Sequence, residues 1–132
     1  MLDLTQQQHI RERLGELGAE VIWLFGSEAA GTARESSDLD VAALFRRSLE
    51  AVDLMNARAE LSATLQREVD LVDLETASPI LAMQIVRHGT LISDENPSQR
   101  VRFLAGLPGR YEEVARTRRE AEKRLVERLS RG

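Results

Sequence analysis

Two short apolar runs, separated by a stretch of small and polar residues, constrain this chain most. The first, Ala19 to Phe25, reads AEVIWLF and ends at Gly26-Ser27. The second, Asp38 to Phe45, reads DLDVAALF. Each is too short for a core helix and has the apolar density of a buried strand. Residues 28–37, with Gly31 among them, read as a loop with room for one helical turn after Gly26. Around this pair the apolar spacing is helical. Thr5 can cap a first helix carrying Ile10, Leu14 and Leu17, with Gly18 just past its end. Leu49 to Leu65 predicts a long helix with Leu49, Val52, Met55, Ala59 and Leu65 on or near one stripe. Glu68 to Leu74 (EVDLVDL) alternates as a third strand. Ser78-Pro79 is a cap and first turn, opening a helix through Ile80, Leu81, Ile85 and Val86 that stops at Gly89. Thr90 to Ser93 fits a short edge strand. Asn96-Pro97 opens a further helix, which Pro108 is expected to interrupt. Gly109 to Leu129 continues as a charged helix bearing Val114, Leu125 and Leu129. The expected fold is α/β (α+β): a small mixed sheet of three to four strands flanked by helices, with a helical C-terminal tail.

Composition narrows the chemistry. At 132 residues the chain suits one domain. It has no cysteine, which excludes disulfides, thiolate zinc sites and a thiol nucleophile. Two histidines, His9 and His88, are too few for the usual zinc centres and read as surface residues. Lys123 is the one lysine. Residues 1–99 hold 8 Arg against 17 Asp and Glu, whereas residues 100–132 hold 10 Lys and Arg against 5 Glu. An acidic head thus carries a basic tail, and no direct nucleic-acid binding is expected from the net charge of −4. Met1 to Gln8 is polar and unlike a signal peptide. The longest apolar stretch, Val21 to Phe25, falls far short of the ~20 residues that cross a bilayer. A cytoplasmic protein is expected.

Three features carry chemistry. Asp38 and Asp40, two apart on an extended chain, point to one face and start ~7 Å apart. Paired catalytic metals sit ~3.5–4 Å apart, so that gap suits one or two divalent cations. Asp oxygens are hard donors fitted to Mg²⁺. Gly26-Ser27 after a strand lets backbone N–H groups approach a phosphate. Asp70 is the third carboxylate; Asp73 competes with it, and their opposite parity keeps a regular strand from aiming both at one site. The spacing Gly26-x4-Gly31-Thr32 mimics a Walker A loop, but Ala33 follows and the required Lys is missing. Trp23 reads as core. The Arg116, Arg118 and Arg119 cluster reads as a solvated helix face, with partner docking as its functional version.

The string from Gly26-Ser27 through Gly31 to Ser37-Asp38-Leu39-Asp40-Val41 resembles the signature of the DNA polymerase β-like nucleotidyltransferase superfamily. The short length, the VDLVDL string and the basic helical tail are similar to its minimal branch, the MntA-type adenylyltransferase antitoxins of HEPN/MNT pairs. Many relatives carry Arg before the second glycine, where this chain has Ala30. The resemblance implies a nucleotidyltransferase domain over residues 1–95 and a basic helical extension over 96–132 packed on it. It implies two Mg²⁺ ions on Asp38, Asp40 and Asp70, with Asp70 also helping to deprotonate the incoming hydroxyl. Gly26 and Ser27 would hold the β- and γ-phosphates of ATP, with Ser37 among the nucleotide-binding residues. The acceptor it implies is a tyrosine of a HEPN-type partner toxin. A non-catalytic antitoxin acting by stoichiometric binding, and a small-molecule (aminoglycoside-like) nucleotidyltransferase, are the alternatives; Tyr111 is a further candidate acceptor.

Overall fold

The computed structural model describes residues 2–26 and 38–131. Helix α1 (Leu4–Glu16) leads into β1 (Ala19–Phe25); β2 (Leu39–Phe45), α2 (Ala51–Leu65), β3 (Val69–Asp73), α3 (Pro79–His88), β4 (Thr90–Asp94) and α4 (Pro97–Arg131) follow. The four strands form one sheet in the order β3-β2-β1-β4. β1 pairs antiparallel with β2 and with β4, and β2 pairs parallel with β3. The parallel pair needs a crossover, and α2 supplies it.

Strand alternation gives each face of the sheet its own core. Ile22, Leu24, Leu39, Val41, Ala43, Val69 and Leu71 pack with Ile10 and Leu14 of α1 and Ala57, Leu61 and Leu65 of α2. Val21, Trp23, Ala42 and Leu44 point the other way and pack with Ala82 and Ile85 of α3 and Phe103 and Leu107 of α4. Trp23 is core, as expected. Both clusters bury their members almost completely, which fixes the register of the central strands.

Several elements differ from the sequence reading. The cap of α1 is Asp3, not Thr5: its carboxylate accepts the Gln6 N–H (2.8 Å) while Gln6 Oε1 accepts the Asp3 N–H (3.1 Å). A reciprocal capping box satisfies two orphan donors where a lone Thr5 would satisfy one. The inward face of α2 is Ala57, Leu61 and Leu65, whereas Val52 and Met55 are exposed. Pro108 does not end its helix, for α4 runs unbroken from Pro97 to Arg131. Pro108 itself is exposed, so its ring displaces no core side chain, and the one helical bond it forfeits, to the Leu104 carbonyl, is not enough to end the helix. Leu107 is the last buried residue of α4; Arg110, Tyr111, Val114 and Ala115 are half-buried, and the helix is exposed from Arg116 onward. Ser78 caps α3 as expected, accepting the Leu81 N–H at 3.2 Å.

Candidate active site

The acidic residues gather where β1 ends and β2 and β3 begin. Asp40 lies at the second position of β2, opposite Phe25 on β1 and opposite Asp70 on β3. Adjacent strands lie about 4.8 Å apart and laterally paired residues share a face, so Asp40 and Asp70 present their carboxylates side by side. Asp38 is exposed just before β2, two positions from Asp40. Burial pushes the Asp40 carboxyl above its ordinary range, and the charges of Asp70 and then Asp38 push it the same way.

Gly26 completes this corner. Its φ of +71° lies in the left-handed region, and a Cβ built there would stand 3.2 Å from Asp40 Cγ and nearer still to Oδ2. The residue after β1 is glycine because the chain turns tightly there and because Asp40 occupies the space of a side chain. Ser27, Ser37 and the loop 28–37 lie outside the described residues.

The register decides between the two aspartates of the VDLVDL string. Asp73 pairs with Ala43, three residues along the strand and on the opposite face from Asp70. Asp73 is buried at 6% exposure, and its carboxylate accepts the Glu75 N–H at 3.1 Å. Its main-chain carbonyl accepts the N–H groups of Thr76 (3.2 Å) and Ala77 (3.0 Å). Burial raises the Asp73 carboxyl and the Glu75 N–H opposes the shift. Asp73 shapes the turn after β3, and Asp70 is the one beside Asp40.

One neighbour escaped the sequence reading. Arg58, on α2, sets Nη2 3.5 Å from Asp70 Oδ1. It stands one residue after Ala57 on α2 and reaches round the sheet edge, a placement that packing sets and no spacing in the sequence marks. His9 and His88 are exposed, as expected.

The donor set fits a hard divalent cation. Three carboxylates, one with its pKa raised by burial and then by the other two, form an excess of negative charge that Mg²⁺ would offset. Among the described residues no three carboxylates already surround one point in ligating geometry. Mg²⁺ does not need that, because it keeps several waters and takes one or two carboxylates together with substrate phosphates. A cavity of about 450 Å³ lined by Arg11, Glu20, Arg46 and Asn96 lies at the other end of β1 and holds none of these residues.

A mixed sheet with this acidic corner defines a class. Residues 8–98 match the family model for polymerase beta-type nucleotidyltransferases, and the chain belongs to that family. Its fold is similar to that of a toxin-antitoxin crystallised with AMP-PNP (TM-score 0.79, 26% identity), covering 91% of this chain and 98% of that one. An MntA-HepT toxin-antitoxin structure shares the fold at TM-score 0.76 and 23% identity, covering 94% of this chain and 99% of that one. So does a complex of an MNT antitoxin with a tri-AMPylated Shewanella oneidensis HEPN toxin (TM-score 0.75, 23% identity), covering 92% of this chain and 97% of that one. The comparison with curated proteins gives no match. Among the described residues no helix is long and apolar enough to cross a membrane.

Proposed function

We propose that this chain transfers AMP from ATP to a tyrosine hydroxyl of a HEPN-type partner toxin and neutralises the toxin as its antitoxin. The observation that carries this reading is Asp40 flanked by Asp70 and Asp38, beside a glycine whose missing side chain gives the Asp40 carboxylate its room. Support comes from the shared fold of a toxin-antitoxin bound to an ATP analogue and of one whose toxin carries AMP.

Asp38 and Asp40 would hold Mg²⁺ with Asp70 sharing one ion, and Asp70 would accept the proton of the attacking hydroxyl. Two Mg²⁺ ions, if bound there, would supply neutralisation of the triphosphate charge and a lowered pKa for the hydroxyl. Gly26 and Ser27 take the β- and γ-phosphates through backbone N–H groups and the serine hydroxyl, with Ser37 alongside. The hydroxyl oxygen forms the new bond to the α-phosphorus and the bond to the β-phosphate bridging oxygen breaks. Pyrophosphate leaves with that electron pair. Such transfer depends on positioning and charge compensation, which is why a chain with no cysteine, one lysine and two exposed histidines can carry it. The test is the intact mass of the protein encoded by the neighbouring gene, after incubation with the chain, ATP and Mg²⁺. AMP adducts that map to tyrosine support the reading. A HEPN protein silenced in complex at unchanged mass would make the chain a stoichiometric binder instead.

A further inference from the structure

Strand β3 is an edge of the sheet, and an edge strand leaves every second residue's N–H and C=O without a strand partner. Glu68 C=O accepts the Leu39 N–H from β2 at 2.8 Å. The next residue, Val69, turns its groups outward, and both are taken by α2. Ser62 Oγ accepts the Val69 N–H at 3.0 Å, and Arg58 Nε donates to the Val69 carbonyl at 3.4 Å. Arg58 and Ser62 are four apart and so lie one above the other on the helix. Ala57, Leu61 and Leu65, sunk in the core beside them, fix the helix against rotation. The guanidinium is thus tied to the start of β3 through Nε and reaches round the edge with Nη2 to Asp70 Oδ1.

From this geometry we infer that Arg58 is a positioning residue: it holds Asp70 by Oδ1, leaving Oδ2 for the metal that Asp70 shares with Asp40. The inference rests on the transferase reading of the site. A flexible Asp70 beside two other carboxylates would swing away from them by repulsion. An arginine anchored to the backbone of the preceding residue opposes that swing. Its planar fork suits the task, since one nitrogen can hold the carbonyl while another holds the carboxylate. Partners that orient metal-binding carboxylates typically change metal affinity 10–100-fold when removed.

The test titrates Mn²⁺, as a spectroscopic substitute for Mg²⁺, into the metal-free full chain and reads free Mn²⁺ by electron paramagnetic resonance. Wild type is compared with Arg58→Met, Arg58→Lys and Ser62→Ala, and AMP transfer is measured on the same samples. Arg58→Met should bind Mn²⁺ about tenfold more weakly. Arg58→Lys, which keeps the charge but one nitrogen only, should fall between it and wild type, and keeps the test decisive should the methionine variant fail to fold. Ser62→Ala removes the other edge bond without touching Asp70 and should bind as wild type does. Arg58 variants that bind Mn²⁺ as well as wild type, or more tightly, overturn the inference. So does a Ser62→Ala loss as large as theirs, since that would assign the effect to β3 as a whole. Weaker binding in Arg58→Met beside a wild type that transfers no AMP overturns the transferase reading and leaves the placement of Asp70 by Arg58 standing. A wild type that binds no Mn²⁺ overturns both.

Discussion

Replacing Gly26 by alanine tests the corner of the site through folding alone. The backbone there has φ +71°, where an L-residue costs about 1–2 kcal/mol. The new Cβ also meets the Asp40 carboxylate, with Cγ at 3.2 Å. Asp40 must leave its rotamer, at about 0.5–1.5 kcal/mol. The combined loss is about 1.5–3.5 kcal/mol. Urea unfolding of the metal-free chain measures it as a lower midpoint at unchanged slope. A double-mutant cycle separates the parts: with Asp40→Ala the carboxylate is gone, only the backbone cost remains, and the coupling should be about 0.5–1.5 kcal/mol. A Gly26→Ala cost below about 0.5 kcal/mol, typical of an unconstrained surface site, would refute the reasoning. The same cost in both backgrounds would refute the contact with Asp40.

Asp40→Asn should raise the melting temperature of the metal-free chain at pH 7. The folded-state pKa of Asp40 is raised, so the folded chain binds the proton more readily than the unfolded chain. Stability from this group therefore falls as pH rises from the unfolded range near ~3.9 through the folded value. The gain from Asn should shrink as pH falls through that same window, and melts across the acid range check it. Leu107→Ala should cost about 2–5 kcal/mol by leaving a cavity, whereas Leu129→Ala, at 71% exposure, should stay within about 0.5 kcal/mol. Paired denaturant curves decide whether α4 leaves the core after Leu107. Pro108→Ala should strengthen α4 by up to about 3 kcal/mol, seen as helical circular dichroism that persists to higher temperature.

Sequence legibility followed punctuation. β1 matches the run from Ala19 to Phe25 because a positive-φ glycine stands on each side of it, Gly18 and Gly26. α3 was readable because Ser78-Pro79 and Gly89 mark both its ends. α2 was found but its inward face was not. Its apolar residues spread round two sides of the helix, and only packing against β3 and α1 selects Ala57, Leu61 and Leu65 over Val52 and Met55. Local rules predict an interruption at Pro108 because they ignore how firmly Phe103 and Leu107 seat the preceding turns. At the site, the Asp38-x-Asp40 spacing was visible in the string. The choice of Asp70 over Asp73 was not, since it depends on which residue of β3 pairs with Asp40. Arg58 is illegible for a similar reason: its contact depends on how the crossover helix α2 seats against the edge strand that follows it, and no local spacing links the two.

The most direct measurement of the central claim is label transfer from α-³²P-ATP to the protein encoded by the neighbouring gene. Wild-type chain is compared with Asp38→Ala, Asp40→Ala and Asp70→Ala in the presence of Mg²⁺. Loss of transfer in each variant, with Asp73→Asn keeping wild-type transfer in every sample that folds, is the predicted result. Equal labelling by wild type and the Asp40 variant would contradict the account.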